Sequence, residues 1–277
     1  MISIVIPTCN RNDLLSKCLD CLSPSFQTAN AFSYEVIVTD DSIDNRAKKL
    51  VAEKYSWTTW IEGPKRGPAA NRNNGARNTS GEWLLFIDDD CQPNPQLLKE
   101  YSDAANSNME VLVFEGSISV DRPQRSFNEE SPINETGGYL WSCNFMIKRE
   151  VFFHNLDGFD EKFPYPAMED VDLHYRLKRL GIKPLFLKSA SVVHPWREQK
   201  KVLSTTLNRY KSTLYFLDKH PEMKAEINSL YYLRVFYHRF IKENIINCRK
   251  YRLRGILLKS ESDFMHLLFS IHLLFRR

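Results

Sequence analysis

Two nucleotide-binding signatures are missing from this sequence of 277 residues. No GxGxxG follows the first strand-like run and no GxxxxGK[ST] occurs anywhere, so neither a dinucleotide-binding loop nor a P-loop is available. Neutralising phosphate would then require a metal ion and basic side chains. The N-terminus also lacks a basic stretch leading into a long hydrophobic segment, so we predict no secretory signal and expect a cytoplasmic protein.

Cysteine is sparse, and its spacing does not indicate a disulfide framework. Cys18 and Cys21 form a CxxC, but no second pair lies at zinc-site spacing and the motif falls in a helical pattern. An ordinary thiol pair is therefore favoured over metal or redox chemistry. The thiols that we expect to be reduced are Cys9, Cys18, Cys21, Cys91, Cys143 and Cys248.

Basic charge is scarce over most of the chain and concentrated at its end. Residues 1–200 carry 23 Lys and Arg against 28 Asp and Glu, whereas residues 201–277 carry 15 against 6. A nucleic-acid-binding protein needs its basic face on the folded platform, so this distribution argues against nucleic acid as a partner. It leaves an anionic surface as a possible partner of the tail.

The first ninety residues alternate between strand-like and helix-like periodicity. Short β-branched or aromatic runs, "ISIVIP", "EVIVTD", "TTWIEG" and "EWLLFID", are typical of a buried parallel sheet. "NDLLSKCLDCL" and "SIDNRAKKLVAEKY" lie between them and predict amphipathic helices. We therefore predict an α/β fold built from right-handed βαβ units. Further on, "VLVFEGSISV" predicts a strand, and residues 121–138 predict a polar, mobile loop.

Acidic residues follow two of the predicted strands. Asp40 and Asp41 end one, and the consecutive Asp88, Asp89 and Asp90 end another. Ligands of such sheets bind beyond the carboxyl ends of the strands, so both groups are expected at one edge, within reach of one ligand. Three adjacent carboxylates repel one another unless a cation compensates them, which favours a divalent metal over a solvated turn.

A third acidic group opens a predicted helix, "EDVDLHYRLKRLG", with Gly181 as its expected C-cap. Glu169, Asp170 and Asp172 then fall in its first turn. Acids there are stabilised by the helix dipole, so capping is one interpretation and catalysis is another.

Four sequence blocks, taken in order, resemble the family 2 glycosyltransferases of the GT-A fold over residues 2–195. They are "SIVIPTCNR", "VIVTDDSIDN", "GPAANRNNGARNTSGEWLLFIDDDC" and "GFDEKF" followed by "EDVDLHYRLKRLG". Ser42 departs from the family pattern, since a glycine is usual there. The resemblance implies an α/β GT-A fold followed by a C-terminal helical segment, and transfer of a sugar from a nucleoside-diphosphate donor with inversion.

The resemblance also implies how donor and metal are held. Asp90 is the expected ligand of Mg²⁺ or Mn²⁺, Asp88 is the other end of the DxD motif, and Asp89 lies nearer the donor ribose or sugar. Asp41 would accept a hydrogen bond from a uracil or thymine imide. The full set assigned to the donor is Pro7, Thr8, Asn10, Arg11, Asp41, Arg72, Asn73, Asp88 and Asp89.

Two of these assignments have an alternative. Arg72 offers a planar, permanently charged fork for diphosphate oxygens or a carboxylate, but a surface helix arginine would look the same. His194 falls where some GT-A enzymes place a late metal ligand, although a single histidine is often only a packed residue.

Catalysis and acceptor binding are assigned to the second half of the matched region. Asp170 is the predicted general base, and Glu169 would orient it or bind the acceptor. Trp141 and Asn144 would line the acceptor site, although plain core packing explains Trp141 equally well. The expected domains are thus a catalytic domain at 1–200, with a donor half at 1–100 and an acceptor half at 101–200, and a basic, aromatic-rich helical segment at 201–277.

Several functional alternatives stay open at this point. The tail could lie on an anionic membrane, cap the catalytic domain or form a dimer contact. A sugar nucleotidyltransferase would be expected to carry a glycine-rich loop that "PTCNRNDLL" lacks, and a non-catalytic nucleotide-sugar binder would differ only in forming no product. The Gln-x-x-Arg-Trp motif and the membrane spans of processive synthases are absent from this sequence, which favours addition of a single sugar to a glycan or lipid-linked glycan.

Overall fold

The computed structural model describes residues 1–28 and 33–276. The chain forms two compact units. The first comprises Met1–Asp121, Pro132–Glu161 and Glu169–Pro195, and the second comprises Arg122–Ser131, Lys162–Met168 and Trp196–Arg277. Arg277 itself lies outside the described residues.

The first unit is built on an eight-stranded sheet in the order β3-β2-β1-β4-β8-β6-β9-β5. All strands run in one direction except β8 and β5, which are antiparallel to their neighbours. The strands are β1 Ile2–Thr8, β2 Tyr34–Asp40, β3 Thr59–Glu62, β4 Trp83–Ile87, β5 Gln92–Pro93, β6 Val113–Val120, β8 Asn144–Lys148 and β9 Leu185–His194.

Helices of the first unit cover this sheet with their apolar faces. In α1, Leu15, Cys18, Leu19 and Leu22 are buried, because this spacing brings them to one side of the helix. Burial on both faces explains why every residue of β1 is buried. The helices are α1 Asn12–Leu22, α2 Arg46–Lys54, α3 Pro68–Arg77, α4 Leu97–Ser107 and α5 Glu169–Arg179, with a π-helical turn at Val151–Asn155.

The predicted α/β fold is confirmed, including the common edge for the acids. Strand β1 pairs in parallel with β2 on one side and β4 on the other, so their carboxyl ends open side by side. Gly181 follows α5 with a φ of +73°, as its predicted capping role requires. Within the polar segment 121–138, Glu129–Glu130 nevertheless forms a short strand, β7.

The second unit is mainly helical, which confirms the predicted C-terminal helices. It contains α6 Val202–Lys219, a 3₁₀ turn at Pro221–Ala225, α7 Ser229–Phe236, a π-helical segment at Tyr237–Glu243, α8 Asn244–Tyr251 and α9 Ile256–Phe275. Strand β10, Arg197–Glu198, pairs antiparallel with β7. In the core of the second unit the rings of Tyr210 and Phe269 stack with centroids 3.7 Å apart, and the ring of Tyr232 packs edge-on against both. No helix in the described part of the chain is both long enough and apolar enough to cross a membrane.

Candidate active site

The carboxyl ends of β1, β2 and β4 are tied together by side-chain hydrogen bonds. The hydroxyl of Thr8 donates to Asp89 Oδ2 at 2.7 Å, which joins the ends of β1 and β4. Asn71, in α3, accepts from the hydroxyl of Thr39 at 2.6 Å and donates to the backbone oxygens of Thr39 and Thr8 at 2.9 and 3.3 Å. This buried amide holds the strand ends in register beneath the site.

The three consecutive aspartates have different surroundings. Asp88 accepts from the Arg72 guanidinium at 2.6 Å. Asp89 is fully buried and lies 2.7 Å from Arg11, in addition to its bond from Thr8. Asp90 lies 3.6 Å from Arg11. In this arrangement Arg11 contacts the aspartates, and the burial of Asp89 favours a role in holding the turn over the predicted donor contact.

Asp90 and His194 form a pair of donor atoms that fits a divalent cation. Nε2 of His194 lies 3.4 Å from Asp90 Oδ1, and its Nδ1 lies 2.9 Å from the carbonyl oxygen of Pro195. Burial lowers the pKa of His194, against the opposing charge of Asp88, so the ring is neutral at pH 7. Because Nδ1–H then donates to Pro195, the lone pair of Nε2 faces a carboxylate oxygen. Two such lone pairs attract a cation.

Cys91 lies beside this pair, and one ligand atom each from Asp90, Cys91 and His194 lie within 4.8 Å of one another. Burial raises the pKa of this thiol well above its usual range, and its Sγ donates to the carbonyl oxygen of Cys143. A protonated thiol is a poor ligand. The remaining carboxylate and imidazole suit a hard or intermediate ion such as Mg²⁺ or Mn²⁺.

Asp41 lies at the centre of a tight turn after β2. Its carboxylate accepts from the backbone N–H of Lys65 at 2.8 Å and of Gly67 at 3.2 Å. Burial raises the pKa of Asp41, and these two N–H groups oppose that rise. Gly63 packs so closely that a Cβ there would come within 2.3 Å of Asp41 Oδ1. The carboxylate is thus fixed in place, with oxygen lone pairs left for a further donor.

The residues around this turn also have defined contacts. Ser42, which stands where the family usually has glycine, accepts from the backbone N–H of Asn10 at 2.8 Å and so joins the two turns. Asn10 has a φ of +56°. Pro7 is a buried residue of β1, one position before Thr8. Asp40 accepts from the backbone N–H of Ser42 and the indole of Trp60, which is a structural role.

Arg72 links the DxD turn to the start of α5. Besides Asp88, it contacts Glu169 Oε1 at 3.5 Å, and it is only 4% exposed. Burial alone would lower the pKa of Arg72, but Asp88 and Glu169 raise it above its ordinary value. The alternative of a surface helix arginine is therefore wrong.

Glu169 and Asp170 are buried together at the start of α5. Burial raises the pKa of Glu169, against the opposing charge of Arg72, and its Oε2 is buried with no hydrogen-bond partner among the described residues. Burial and the neighbouring Glu169 raise the pKa of Asp170 to about 7, again against Arg72. Asp170 Oδ1 accepts from the N–H of Val171 at 2.8 Å. A carboxyl group with this pKa can accept and release a proton near neutral pH.

Asn73 holds the loop that precedes α5. Its amide donates to Phe159 O at 2.8 Å and to Glu161 Oε1 at 2.9 Å, and it accepts from Phe159 N at 2.9 Å. Asp172 holds Arg176 at 2.8 Å, and Arg176 donates to the carbonyl of Gly158 at 2.9 Å. These contacts favour a positioning role for Asn73 over direct contact with the donor.

The predicted acceptor residues differ in exposure. Asn144 is completely buried, accepts from the hydroxyl of Tyr101 at 2.9 Å, and donates to the carbonyls of Ser117 and Ala190 at 2.8 and 3.0 Å. This geometry favours a role in pinning β6, β8 and β9 together. Trp141 is partly buried and packs against the core of the sheet, while its ring stacks on that of Tyr139.

Sequence reasoning overlooked three residues that shape the site: Asn71, Glu115 and Glu161. Asn71 directly precedes Arg72 and Asn73, which the sequence assigned to the donor site. A polar residue on a helix that packs on the sheet could have indicated a structural hydrogen bond. Glu115 interrupts an otherwise apolar strand, and a buried acid in such a strand calls for partners. Glu161 accepts a hydrogen bond from the Asn73 amide and forms an ion pair with the exposed Arg66 at 3.0 Å.

The sheet order and the acid-bearing edge are those of a GT-A-fold protein. Residues 3–156 match the family model for glycosyl transferase family 2. An uncharacterized glycosyltransferase of Haemophilus influenzae is 38% identical over 237 residues, which cover 79% of this chain and 76% of that protein. The chain therefore belongs to glycosyl transferase family 2.

Two further proteins are informative. The GalNAc(5)-diNAcBac-PP-undecaprenol beta-1,3-glucosyltransferase of Campylobacter jejuni is 24% identical over 240 residues, 82% of this chain and 75% of that one. The solved structure of the mannosyltransferase PcManGT from Pyrobaculum calidifontis, in complex with GDP-Man and Mn²⁺, superposes with a TM-score of 0.61 at 14% identity. The superposition covers 99% of this chain and 88% of that one, and at this identity it supports the fold alone.

Proposed function

We propose that this glycosyltransferase moves a single sugar from a UDP- or dTDP-sugar to a hydroxyl of a glycan or lipid-linked glycan, with inversion at the anomeric carbon. The observation that carries the proposal is that one sheet edge brings together the DxD aspartates, a buried arginine and a carboxyl group with a pKa of about 7. The name of the C. jejuni relative describes glucosyl transfer to an undecaprenol-linked glycan, which supports a lipid-linked glycan as the acceptor. We place the enzyme in the synthesis of a cell-surface polysaccharide or lipopolysaccharide.

Residues 1–100 supply the donor side in this proposal, and residues 101–200 supply most of the acceptor side. Asp41 would accept the imide N–H of uracil or thymine with its remaining lone pairs. Asn10 and Thr8 would line the nucleoside site beside it, and Arg11 would exchange its contact with the aspartates for one with the diphosphate.

A divalent ion would be held by Asp90 and His194, with Asp88 at the other end of the motif. Mg²⁺ or Mn²⁺ bound there supplies positive charge that stabilises the departing diphosphate. A mannosyltransferase of the same fold was solved with Mn²⁺, which makes this ion the first one to test. Arg72 adds a second, permanent positive charge.

Asp170 acts as the general base. It takes the proton from the acceptor hydroxyl while the oxygen forms a bond to the anomeric carbon, and the bond from that carbon to the diphosphate oxygen breaks. The electron pair leaves with the nucleoside diphosphate. A single displacement of this kind inverts the anomeric configuration. Glu169 orients Asp170 and offers its Oε2 to an acceptor hydroxyl.

Screening a panel of nucleotide sugars tests the proposal. We expect UDP- or dTDP-sugars, and not GDP-sugars, to release nucleoside diphosphate in the presence of Mn²⁺ or Mg²⁺, and NMR of the product to show inversion. Release of pyrophosphate would instead indicate a nucleotidyltransferase. Tight binding of a nucleotide sugar without any turnover would indicate a non-catalytic binder, and either result would overturn the proposal.

We also propose that the second unit attaches the enzyme to an anionic membrane. Helix α9 buries four polar residues beside Phe269, namely Lys259, Ser262, Asp263 and Ser270, yet it exposes an apolar stripe. This stripe consists of Leu257, Phe264, Leu268, Ile271 and Phe275. Exposed apolar residues at this spacing are unusual on a helix that faces only water, so the stripe favours an apolar environment, although the exposed Glu261 lies on the same face.

Positive charge beside the stripe favours a lipid surface over a second copy of the chain. Four exposed basic residues, Arg249, Lys250, Arg252 and Arg254, lie at the end of α8 and in the turn before α9. Anionic headgroups attract such clusters, whereas two copies of one basic surface repel each other. The six cysteines are all free thiols, which supports the cytoplasmic face of the membrane.

Co-sedimentation with vesicles tests this attachment. The full chain should pellet with phosphatidylglycerol vesicles and not with phosphatidylcholine vesicles, and Arg252→Glu with Arg254→Glu should weaken pelleting. The matched control is Arg46→Glu, an exposed arginine of the first unit. Negligible pelleting with both vesicle types would favour a helical cap, and dimers in sedimentation velocity would favour a subunit contact.

A further inference from the structure

Glu115, on β6, is the centre of a buried cluster next to the candidate active site. One of its oxygens, Oε1, accepts from Asn134 Nδ2 at 2.6 Å and from the backbone N–H groups of Tyr139 and Leu140 at 2.7 and 3.0 Å. The other, Oε2, accepts from the N–H of Gly138 at 2.8 Å. Three successive N–H groups thus converge on one carboxylate that is only 2% exposed.

This carboxylate fixes an unusual loop conformation. The φ angles are +81° at Gly137, +97° at Gly138 and +25° at Leu140. A positive φ at a leucine is unfavourable, and it persists only where surrounding contacts enforce it. The hydrogen bonds to Glu115 are such contacts, so the backbone of this loop depends on Glu115.

The loop presents a pair of stacked aromatic rings. The rings of Tyr139 and Trp141 lie nearly parallel, at 8°, with centroids 6.1 Å apart. Tyr139 is 56% exposed, whereas Trp141 packs against the core. The indole Nε1 of Trp141 is buried and has no hydrogen-bond partner among the described residues. The exposed face of Tyr139 is therefore an aromatic platform supported by a packed indole, and such a face suits the apolar side of an amphipathic ligand.

The loop that carries the pair leads into β8 at the sheet edge where the acids lie. The carbonyl oxygen of Trp141 accepts from the N–H of Asn144, and Asn144 pairs with Ile87, the residue before Asp88. Glu115 also interacts electrostatically with His174, which lies one turn after Asp170 in α5. The backbone of Trp141 is therefore linked through Asn144 to the strand that leads into the DxD turn, and Glu115, which holds the loop, interacts with the helix of the proposed base.

We infer that Tyr139 and Trp141 form a subsite for a pyranose ring of the acceptor, and that Glu115 is its positioning residue. The C–H face of the sugar stacks on the exposed tyrosine ring, which the indole of Trp141 supports from the core side. This inference rests on the proposed function, because it assigns the sugar to the acceptor side of that site. It excludes acceptors that lack a sugar ring next to the reacting hydroxyl.

Saturation-transfer NMR on the full chain tests the subsite without requiring turnover. The probes are methyl β-glucopyranoside and the methyl glycoside of N-acetylgalactosamine, with the acyclic polyol sorbitol as a ligand that has hydroxyls but no ring face. We expect the glycosides to bind and sorbitol not to bind. Tyr139→Ala should weaken glycoside binding by about tenfold or more, since a stacked aromatic face is lost. Tyr139→Phe should retain binding.

Two further variants separate positioning from folding. Glu115→Gln should raise the KM for a sugar acceptor more than it lowers kcat, because the loop is released while Asp170 stays in place. Phe26→Ala is the matched control for Tyr139→Ala, because it removes an exposed ring elsewhere on the same unit. It should change neither glycoside binding nor the KM for the acceptor.

The outcomes distinguish this inference from the proposed function. Equal glycoside binding by wild type and Tyr139→Ala, or equal binding of sorbitol and the glycosides, would overturn the subsite and leave sugar transfer untouched. Conversely, glycoside binding that depends on Tyr139, in a protein that uses no nucleotide sugar, would support the subsite and refute the transferase. Nucleoside diphosphate affinity should be unchanged in every variant.

Discussion

Replacing Asp170 by Asn separates a catalytic role from helix capping. Burial and Glu169 raise the pKa of Asp170 from 3.8 to about 7, with Arg72 opposing. At about 1.36 kcal/mol per tenfold change in proton affinity, ionised Asp170 destabilises the folded state by about 4 kcal/mol above neutral pH. Because the pKa is higher in the folded state, this destabilisation is absent at about pH 3, grows between about pH 4 and pH 7, and then stays constant.

The Asp170→Asn side chain carries no charge at any pH, so two measurements give distinct results. The free energy of unfolding of this variant should match wild type at about pH 3 and exceed it by up to about 4 kcal/mol at about pH 8. Turnover should fall by about 10²–10⁴-fold, while nucleoside diphosphate affinity stays unchanged. In wild type, kcat should rise with pH through about 7, because only the carboxylate can accept the acceptor's proton.

The matched control is Asp103→Asn, which removes an exposed carboxylate paired with Lys99. It should leave turnover and its pH dependence unchanged. Asn caps helices about as well as Asp, so a purely capping Asp170 predicts near-normal turnover in its Asn variant. That result, or a stability difference that does not vary with pH, would refute the reasoning.

Three other predictions concern metal, backbone and thiols. Asp90→Asn should abolish stimulation of donor binding by Mn²⁺, measured calorimetrically, and full transfer by metal-stripped wild type in excess chelator would contradict a metal requirement. Gly158→Ala should destabilise the chain by about 1–3 kcal/mol in urea, because φ is +72° and the added Cβ meets Asn73 Oδ1 at 2.6 Å; an unchanged midpoint would count against this contact. Exposed Cys9 should react with a thiol reagent before buried Cys91, as peptide mass spectrometry would show; rapid labelling of Cys91 in native protein would disprove its burial.

Features that depend on local pattern could be predicted from the sequence, and features that depend on distant partners could not. Strand runs and acid positions placed Asp41 and Asp88 at one sheet edge, because parallel strands put their carboxyl ends together. The structural role of Asn144 was missed because its partners, Tyr101, Ser117 and Ala190, come from three other elements. The reversed direction of β8 and β5 likewise depends on chain crossings that no periodicity encodes.

The position of Arg72 between Asp88 and Glu169 makes it a shared counter-ion for two groups of acids. Any event that changes the charge around Asp88 alters how strongly Arg72 opposes the pKa rise at Asp170. Thermodynamic reciprocity then requires that protonation of Asp170 change the affinity of the Asp88 side for its ligands by the same factor. In the proposed mechanism, donor binding beside Asp88 and protonation of Asp170 are therefore linked through one guanidinium.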